Sequence, residues 1–382
     1  MTNAFIVGAV RTPVGRRRGS LADVHPADLG AHVISELVRR TGVEPSAIDD
    51  VIFGCVSPVG SQAFNIARTS ALSAGLPESV PGVTLDRQCG SSQQAVHFAS
   101  QAVRSGDMDL VIAGGVEVMS LVPLGSSAVL GVEAGYGHPR GGKRWHERYG
   151  DQEINQFLGA EMIAREWGIG RDEMEQYAVE SHRRATEAIG NGEFDDEIAT
   201  FGEFRRDEGP RQDTSLDKIV KLATIVPDGM MTAAVASQIS DGAAALLIAS
   251  EEAVKRHSLT PWARVRNTAV VGCDPVTMLS GPIPATEAIL KRAGLSLDEI
   301  GLFEVNEAFA PIVLAWLRAT GADYLRTNRF GGAIALGHPL GATGARLMTT
   351  MVHAMRRYDI RYGLQTMCEG GGMANATILE LA

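Results

Sequence analysis

A chain of 382 residues, 45% hydrophobic and 21% charged, is too long for one ordinary core and has the composition of a globular protein of two or three domains. Its net charge of −10 leaves no basic face for generic nucleic-acid binding, so any anion it takes up must be held by local groups. Apolar runs such as Asp241 to Ser250 fall far short of the roughly 20 residues that span a bilayer, so no membrane partner is expected.

The first element in chain order is Ala4 to Val10, a short apolar run that predicts a strand ending at the Arg11-Thr12-Pro13 turn. No basic leader precedes it, and Glu380-Leu381-Ala382 is no peroxisomal tripeptide, so a cytoplasmic location is expected. A second strand follows at Asp50 to Gly54. From Leu85 to Ala95 a strand passes through a tight polar turn into an Ala-rich helix, with Cys89 at the helix start. A thiol there gains from the positive end of the helix dipole, which favours thiolate, and free backbone N–H groups can bind an oxyanion. The same thiol also suits a small buried position, packing like alanine, and the turn alone does not separate the two.

After the strand at Asp109 to Gly115, residues 119–239 change character. They hold Gly- and His-bearing loops from Gly131 to Gly150, two charged helical segments between Glu161 and Glu187, and a polar loop from Glu203 to Asp217. The pattern is that of an insertion. Strands resume at Ala263 to Val271, which ends at Cys273-Asp274-Pro275, and at Ile300 to Glu304. Asn306 and Glu307 stand just after this second strand, where an amide can orient a water or an oxyanion; Glu307 suits equally a helix N-terminal carboxylate.

His338 lies in a small-residue run from Gly331 to Gly344, with Pro339 fixing the chain as the next helix begins. A neutral imidazole so placed can take a proton from a thiol and later donate a hydrogen bond to a thioester oxygen. A satisfied core histidine is the alternative; a phosphate-binding glycine loop fails because neither GxGxxG nor the P-loop pattern is met. Cys368 precedes Gly370, Gly371 and Gly372 at the end of an apolar strand, and can act as an acid/base if its surroundings lower its pKa, or simply pack. Cys55, Cys89, Cys273 and Cys368 show neither metal-ligand spacing nor a disulfide framework, so no metal is expected and the thiols should be reduced.

The two ends of the chain repeat the same order of elements. Ala4 to Val10 corresponds to Ala263 to Val271, Asp50 to Gly54 to Ile300 to Glu304, Asp86 to Val103 to Asn328 to Met351, and Asp109 to Gly115 to Gly363 to Gly371. Two similar α/β halves with mostly parallel sheets are implied, bringing Cys89 of the first toward His338 and Cys368 of the second.

CGSS at Cys89, NEAFA at Asn306, GHPLGATGAR at His338 and CEGGG at Cys368, in that order, resemble the four signature regions of the thiolase family. The resemblance covers essentially the whole chain. It implies a duplicated, layered α/β/α/β/α fold with an inserted loop domain: residues 1–118 plus 240–260 as the first half, 119–239 as the insertion that binds coenzyme A and substrate, and 261–382 as the second half. It implies a ping-pong acyltransferase that cleaves 3-ketoacyl-CoA reversibly, with Cys89 as nucleophile, His338 as its base and Cys368 as acid/base. Asn306 would hold an oxyanion-hole water and Gly370 would supply a backbone oxyanion donor. Ser237, Phe309 and Met278 match substrate-contacting positions, and Arg211 is a candidate for the coenzyme A nucleotide. Coenzyme A enters as substrate, with no further cofactor, and a homodimer or homotetramer is expected.

Where familiar acetoacetyl-CoA thiolases carry HMGxTAE and TAGN, this chain has Asn155 to Glu161 and Thr232-Ala233-Ala234-Val235. An acyl chain larger than acetoacetyl is therefore expected, branched or ring-derived, since CGSSQQA also resembles thiolases of actinobacterial steroid breakdown. A short-chain acetoacetyl-CoA thiolase and a non-catalytic acyl-CoA-binding protein are the alternatives.

Overall fold

The computed structural model describes residues 2–382. In chain order the first elements are β1 (Ala4–Arg11), β2 (Gly15–Arg16), α1 (Pro26–Thr41), β3 (Asp50–Gly54), α2 (Ile66–Ser73), β4 (Gly82–Leu85), α3 (Ser91–Ser105) and β5 (Leu110–Val118). Five helices follow: α4 (Ser126–Glu133), α5 (Lys143–Tyr149), α6 (Gln156–Glu166), α7 (Arg171–Gly190) and α8 (Leu216–Ile219). The chain continues through β6 (Ser240–Ser250), α9 (Glu251–Arg256), β7 (Ala263–Gly272), α10 (Pro282–Ala293), β8 (Leu302–Val305) and α11 (Ala310–Thr320). It closes with α12 (Ala333–Leu336), α13 (Leu340–Tyr358), β9 (Tyr362–Glu369) and β10 (Met373–Leu381).

The strands run in the order β4-β3-β5-β6-β1-β7-β10-β9-β8, and this row is two copies of one pattern. In the first copy β3 pairs parallel with β4 and β5, while β5, β6 and β1 pair antiparallel. In the second, β8 pairs parallel with β9 and through Phe303 with Thr327, while β9, β10 and β7 pair antiparallel. A short antiparallel contact of β1 with β7, Phe5 opposite Arg264 and Ile6 opposite Ala263, joins them. The sheet is therefore mixed and mainly antiparallel, not mostly parallel as the alternation of elements suggests, because β6, β1, β7 and β10 pair antiparallel through the middle of the row. Helices cover both faces, and the apolar residues divide accordingly into three cores. One lies under α1 and α2, one between the sheets around α3 and α13, and one under α10 and α11.

The middle layer positions the site. α13 is buried along Leu340 to Val352 because it has a sheet on either side and α3 beside it. Its glycines, each costing about 1 kcal/mol against alanine in a helix interior, are needed for close approach. A Cβ on Gly341 would meet the Gly54 carbonyl oxygen at 2.7 Å, and one on Gly344 would meet the Gln93 nitrogen at 2.3 Å. The start of α13 is thereby drawn onto the ends of β3 and β5 and onto α3. Glu117 fastens it there, accepting from Gly341 N–H (2.9 Å), Val56 N–H (2.8 Å) and Gln62 Nε2 (2.8 Å).

Between β5 and β6 the chain leaves the sheets. α6 and α7 pack Ala160, Ile163, Met174 and Tyr177 into the core beneath α11. The stretch read as loops from Gly131 to Gly150 includes the end of α4 and the whole of α5, neither of which buries a residue. Enough helix formers separate the glycines for short helices, and Gly135 and Gly150 supply the positive φ that ends them. Among the described residues no helix is long and apolar enough to cross a membrane.

Candidate active site

Cys89 sits two residues before α3, in a turn where Gln88 adopts φ +49°, a left-handed conformation uncommon for a residue with a side chain. The turn is held locally. Gln88 N–H donates to Asp86 Oδ1 (2.6 Å), Ser91 Oγ donates to the Gln88 carbonyl (2.6 Å), and Arg87 N–H donates to Ser91 Oγ (2.9 Å). Sγ consequently faces two backbone donors, the N–H groups of Gly370 and of Cys89 itself.

The helix start was expected to favour thiolate, and the structure corrects this. Burial pushes the Cys89 thiol up to about 12, the neighbouring Glu369 and Asp86 push the same way when ionised, and the two N–H groups only partly oppose them. Cys368, at the end of β9 and fully buried, is raised well above the ordinary thiol value by burial and by Cys89 and Glu369 nearby. Both sulfurs rest as thiols, so a base must take the proton during the reaction.

His338 is the candidate for that base. His338 Nδ1 lies 2.7 Å from Thr343 Oγ1, whose own proton goes to the Pro339 carbonyl (2.8 Å), so Nδ1 is the donor and Nε2 carries the lone pair. Nε2 points at Asn306, whose Nδ2 is 3.4 Å away. Burial, with the Arg346 charge adding, lowers the imidazole to about 3, so it is neutral and able to accept a proton. The backbone is equally fixed: His338 N–H donates to Ser240 Oγ (2.7 Å).

Asn306 follows β8, its N–H donating to the Thr366 carbonyl (3.0 Å). Its Oδ1 is buried without a protein partner, which leaves an acceptor free for a small donor such as water. Glu307 does not serve the start of α11. It accepts from Tyr177 Oη (2.8 Å), Ser181 Oγ (2.7 Å) and Ile334 N–H (3.1 Å), clamping α7 to α12.

A cavity of about 720 Å³ leads inward to His338. Arg16, Arg17 and Arg211 line its outer part, while Ser237, Phe157 and Phe309 line its walls. The two aromatic rings meet edge to face at 5.4 Å. Asn155 is turned away to accept from Leu158 N–H (2.9 Å) at the start of α6, leaving Gln156 and Phe157 to face the cavity. Met278 does not line it; it is buried in the core beside Gly159 at φ +41°.

The structure thus brings Cys89, Cys368 and Gly370 together in one group and Asn306 and His338 in another, and puts Ser237, Phe309 and Arg211 on the cavity that reaches His338. Sequence reasoning missed Arg16, Arg17, Phe157, Thr343 and Glu369. The arginine run after Pro13 was a visible signal, whereas nothing local marks Phe157 or Thr343 as neighbours of the site. Among the described residues no group of His, Cys, Asp and Glu has the arrangement of a metal site.

Comparisons with known proteins point to one family. Residues 4–252 match the profile "Thiolase, N-terminal domain" and residues 259–381 match "Thiolase, C-terminal domain". The steroid 3-ketoacyl-CoA thiolase FadA6 of Mycobacterium tuberculosis is 55% identical, covering 100% of this chain and 94% of that protein. The 3-ketoacyl-CoA thiolase FadA of Escherichia coli is 43% identical over 100% of both. The crystal structure of the Bacillus anthracis acetyl-CoA acetyltransferase superposes with a TM-score of 0.89 at 35% identity, covering 100% of this chain and 99% of that one.

Proposed function

Because the chain belongs to the thiolase family, we propose that it cleaves 3-ketoacyl-CoA to acetyl-CoA and a shortened acyl-CoA, reversibly, through an acyl group carried on Cys89. The observation that carries the assignment is the placing of Cys89 beside Cys368 and the Gly370 N–H, together with a His338 whose Thr343 contact leaves Nε2 as the acceptor, turned toward Asn306.

His338 Nε2 takes the Cys89 proton as sulfur attacks the 3-keto carbon. The C2–C3 bond breaks, its electron pair forms the acetyl-CoA enolate, and Cys368 protonates C2. The Cys368 thiolate then deprotonates coenzyme A, whose sulfur attacks the acyl thioester, and His338 returns its proton to the departing Cys89. Protonated Nε2 and a water on Asn306 would hold the enolate oxygen, while the N–H groups of Cys89 and Gly370 would hold the acyl oxygen. Preorganised donors of this kind are worth several kcal/mol each, about 3–4 for one backbone or amide donor. Every proton is accounted for by a side chain, so coenzyme A is the substrate and no other cofactor is invoked.

The cavity supports a coenzyme A path, its phosphates at Arg16, Arg17 and Arg211 and its pantetheine past Ser237 to Phe309. A lining of Gln156 and Phe157, with the HMG-type histidine replaced by a helix-capping Asn155, favours an acyl chain larger than acetoacetyl, branched or ring-derived as the name of the Mycobacterium relative suggests. We infer a homodimer or homotetramer, since β4 is an edge strand that carries exposed Val83, and Phe64, just before α2, is 97% exposed in a left-handed conformation. Four unpaired cysteines suit a reducing, cytoplasmic setting. The test is thiolysis across a panel of 3-ketoacyl-CoA esters. The expected result is a higher kcat/KM for longer or cyclic esters; a clear preference for acetoacetyl-CoA overturns the chain-length assignment.

A further inference from the structure

The reaction as assigned leaves one buried titratable group at the site without a task. Glu369 follows Cys368 at the end of β9 and has no solvent exposure. Its Oε1 presses on the start of α3: a Cβ added to Gly90, the residue after Cys89, would lie 1.8 Å from it, so a side chain there would have to displace Glu369. With its amide oriented to satisfy both ends, Asn375 of β10 donates to Oε1 (2.9 Å) and accepts from Gln94 N–H (3.2 Å).

The opposite oxygen, Oε2, is buried with no partner, and so is Oε1 of Gln94. A carboxylate buried with one oxygen unpartnered is costly, and a proton on Glu369 removes that charge. Around the carboxyl stand Asp86 and Arg87 from the β4–α3 turn, Cys89, Cys273 from the β7–α10 loop, and Cys368 on its own strand. Arg87 is the one positive charge in this group, and it makes no hydrogen bond to Glu369; its Nη1 reaches Met373 Sδ (3.6 Å) instead.

We propose that Glu369 is a positioning residue of the acyl-transfer site that acts as the neutral acid. Uncharged, it seats the Cys89 turn against Asn375 and leaves the N–H groups on Sγ unopposed. As the carboxylate it places a negative charge beside Sγ and beside the oxygen those N–H groups bind, making both thiolate and oxyanion costlier. Burial, with Asp86 adding and Arg87 opposing, raises its pKa to about 8, so the neutral form prevails near neutrality. The inference rests on the assignment of Cys89 as nucleophile.

The test compares wild type, Glu369→Gln and Arg87→Met. The rate of iodoacetamide alkylation of Cys89, read on its peptide by mass spectrometry without any CoA ester, is followed against pH beside the kcat/KM of thiolysis. Wild type should rise less steeply above about pH 8, Glu369→Gln should rise through and react about tenfold faster near pH 9, and Arg87→Met should move the break upward. A break at the same pH in Glu369→Gln, or a uniform loss at all pH values as a merely structural role would give, overturns the proposal. If Glu369→Gln fails to fold by circular dichroism, an unmoved break in Arg87→Met overturns it. Alkylation behaving as expected without thiolysis would refute the proposed function and leave Glu369 standing; thiolysis with an unmoved break would do the reverse.

Discussion

α3 and α13 occupy equivalent places in the two copies of the fold, and each begins two residues after a reactive side chain, Cys89 before Ser91 and His338 before Leu340. In both turns the preceding residue is left-handed, Gln88 at φ +49° and Gly337 at φ +96°. The difference lies in what each turn carries and how it is held. The first presents an acid thiol to two backbone N–H groups on a turn tied by its own side chains; the second presents a base fixed by Thr343 and Ser240. On the proposed mechanism, the equivalent turns of the two copies carry different partners of one reaction, the nucleophile in the first and its base in the second.

The comparison breaks hardest if either reactive group is removed. Cys89→Ala should abolish acylation and thiolysis, since no other sulfur faces the two N–H donors. His338→Ala should lower kcat/KM by about 10²- to 10⁴-fold, the usual contribution of a positioned base. Cys368→Ala should still allow slow acyl transfer to Cys89 yet stop Claisen exchange, measured by label exchange between acetyl-CoA and product; full turnover would show its role to be wrong.

The turns themselves differ in tolerance. A Cβ on Gly337 would meet Ser240 Oγ at 2.7 Å in a left-handed conformation, so Gly337→Ala should cost about 1–3 kcal/mol in urea unfolding. Gln88→Gly removes steric cost but adds unfolded-state freedom, so its net effect should stay within about 1 kcal/mol.

Much of this was legible in sequence. The order of elements revealed the duplication, because β-branched runs and turn residues recur at both ends, and the small residues around Cys89, His338 and Cys368 marked places where backbone must come close. The thiol pKa values were not legible. They depend on burial and on Glu369, which lies 280 residues from Cys89 in sequence, and the dipole of a helix start does not offset them. Phe157 was hidden for a similar reason, since its partner Phe309 belongs to the other end of the chain. Met278 shares its core with Phe309 but, unlike it, does not line the cavity.

A smaller effect concerns pH. Buried His338 and His97 are lowered to about 3 and His182 to about 4, so the unfolded chain binds protons that the native state refuses, and stability should fall as pH drops from about 6.5 toward 3. Glu304 and Glu369 are raised to about 8, so their contribution is complete below about 4.5 and is lost as pH rises through 8. Thermal melts across this range should show both losses, and Glu304→Gln with Glu369→Gln should flatten the alkaline one. A histidine-side loss that begins only below pH 3 would contradict the buried, neutral state assigned to His338.

The most direct test of the account is to trap the acyl group. The Cys368→Ala variant incubated with a 3-ketoacyl-CoA or acyl-CoA ester should gain the mass of one acyl group, located by peptide mass spectrometry on Cys89. An unmodified Cys89 while thiolysis proceeds in the wild type would contradict it.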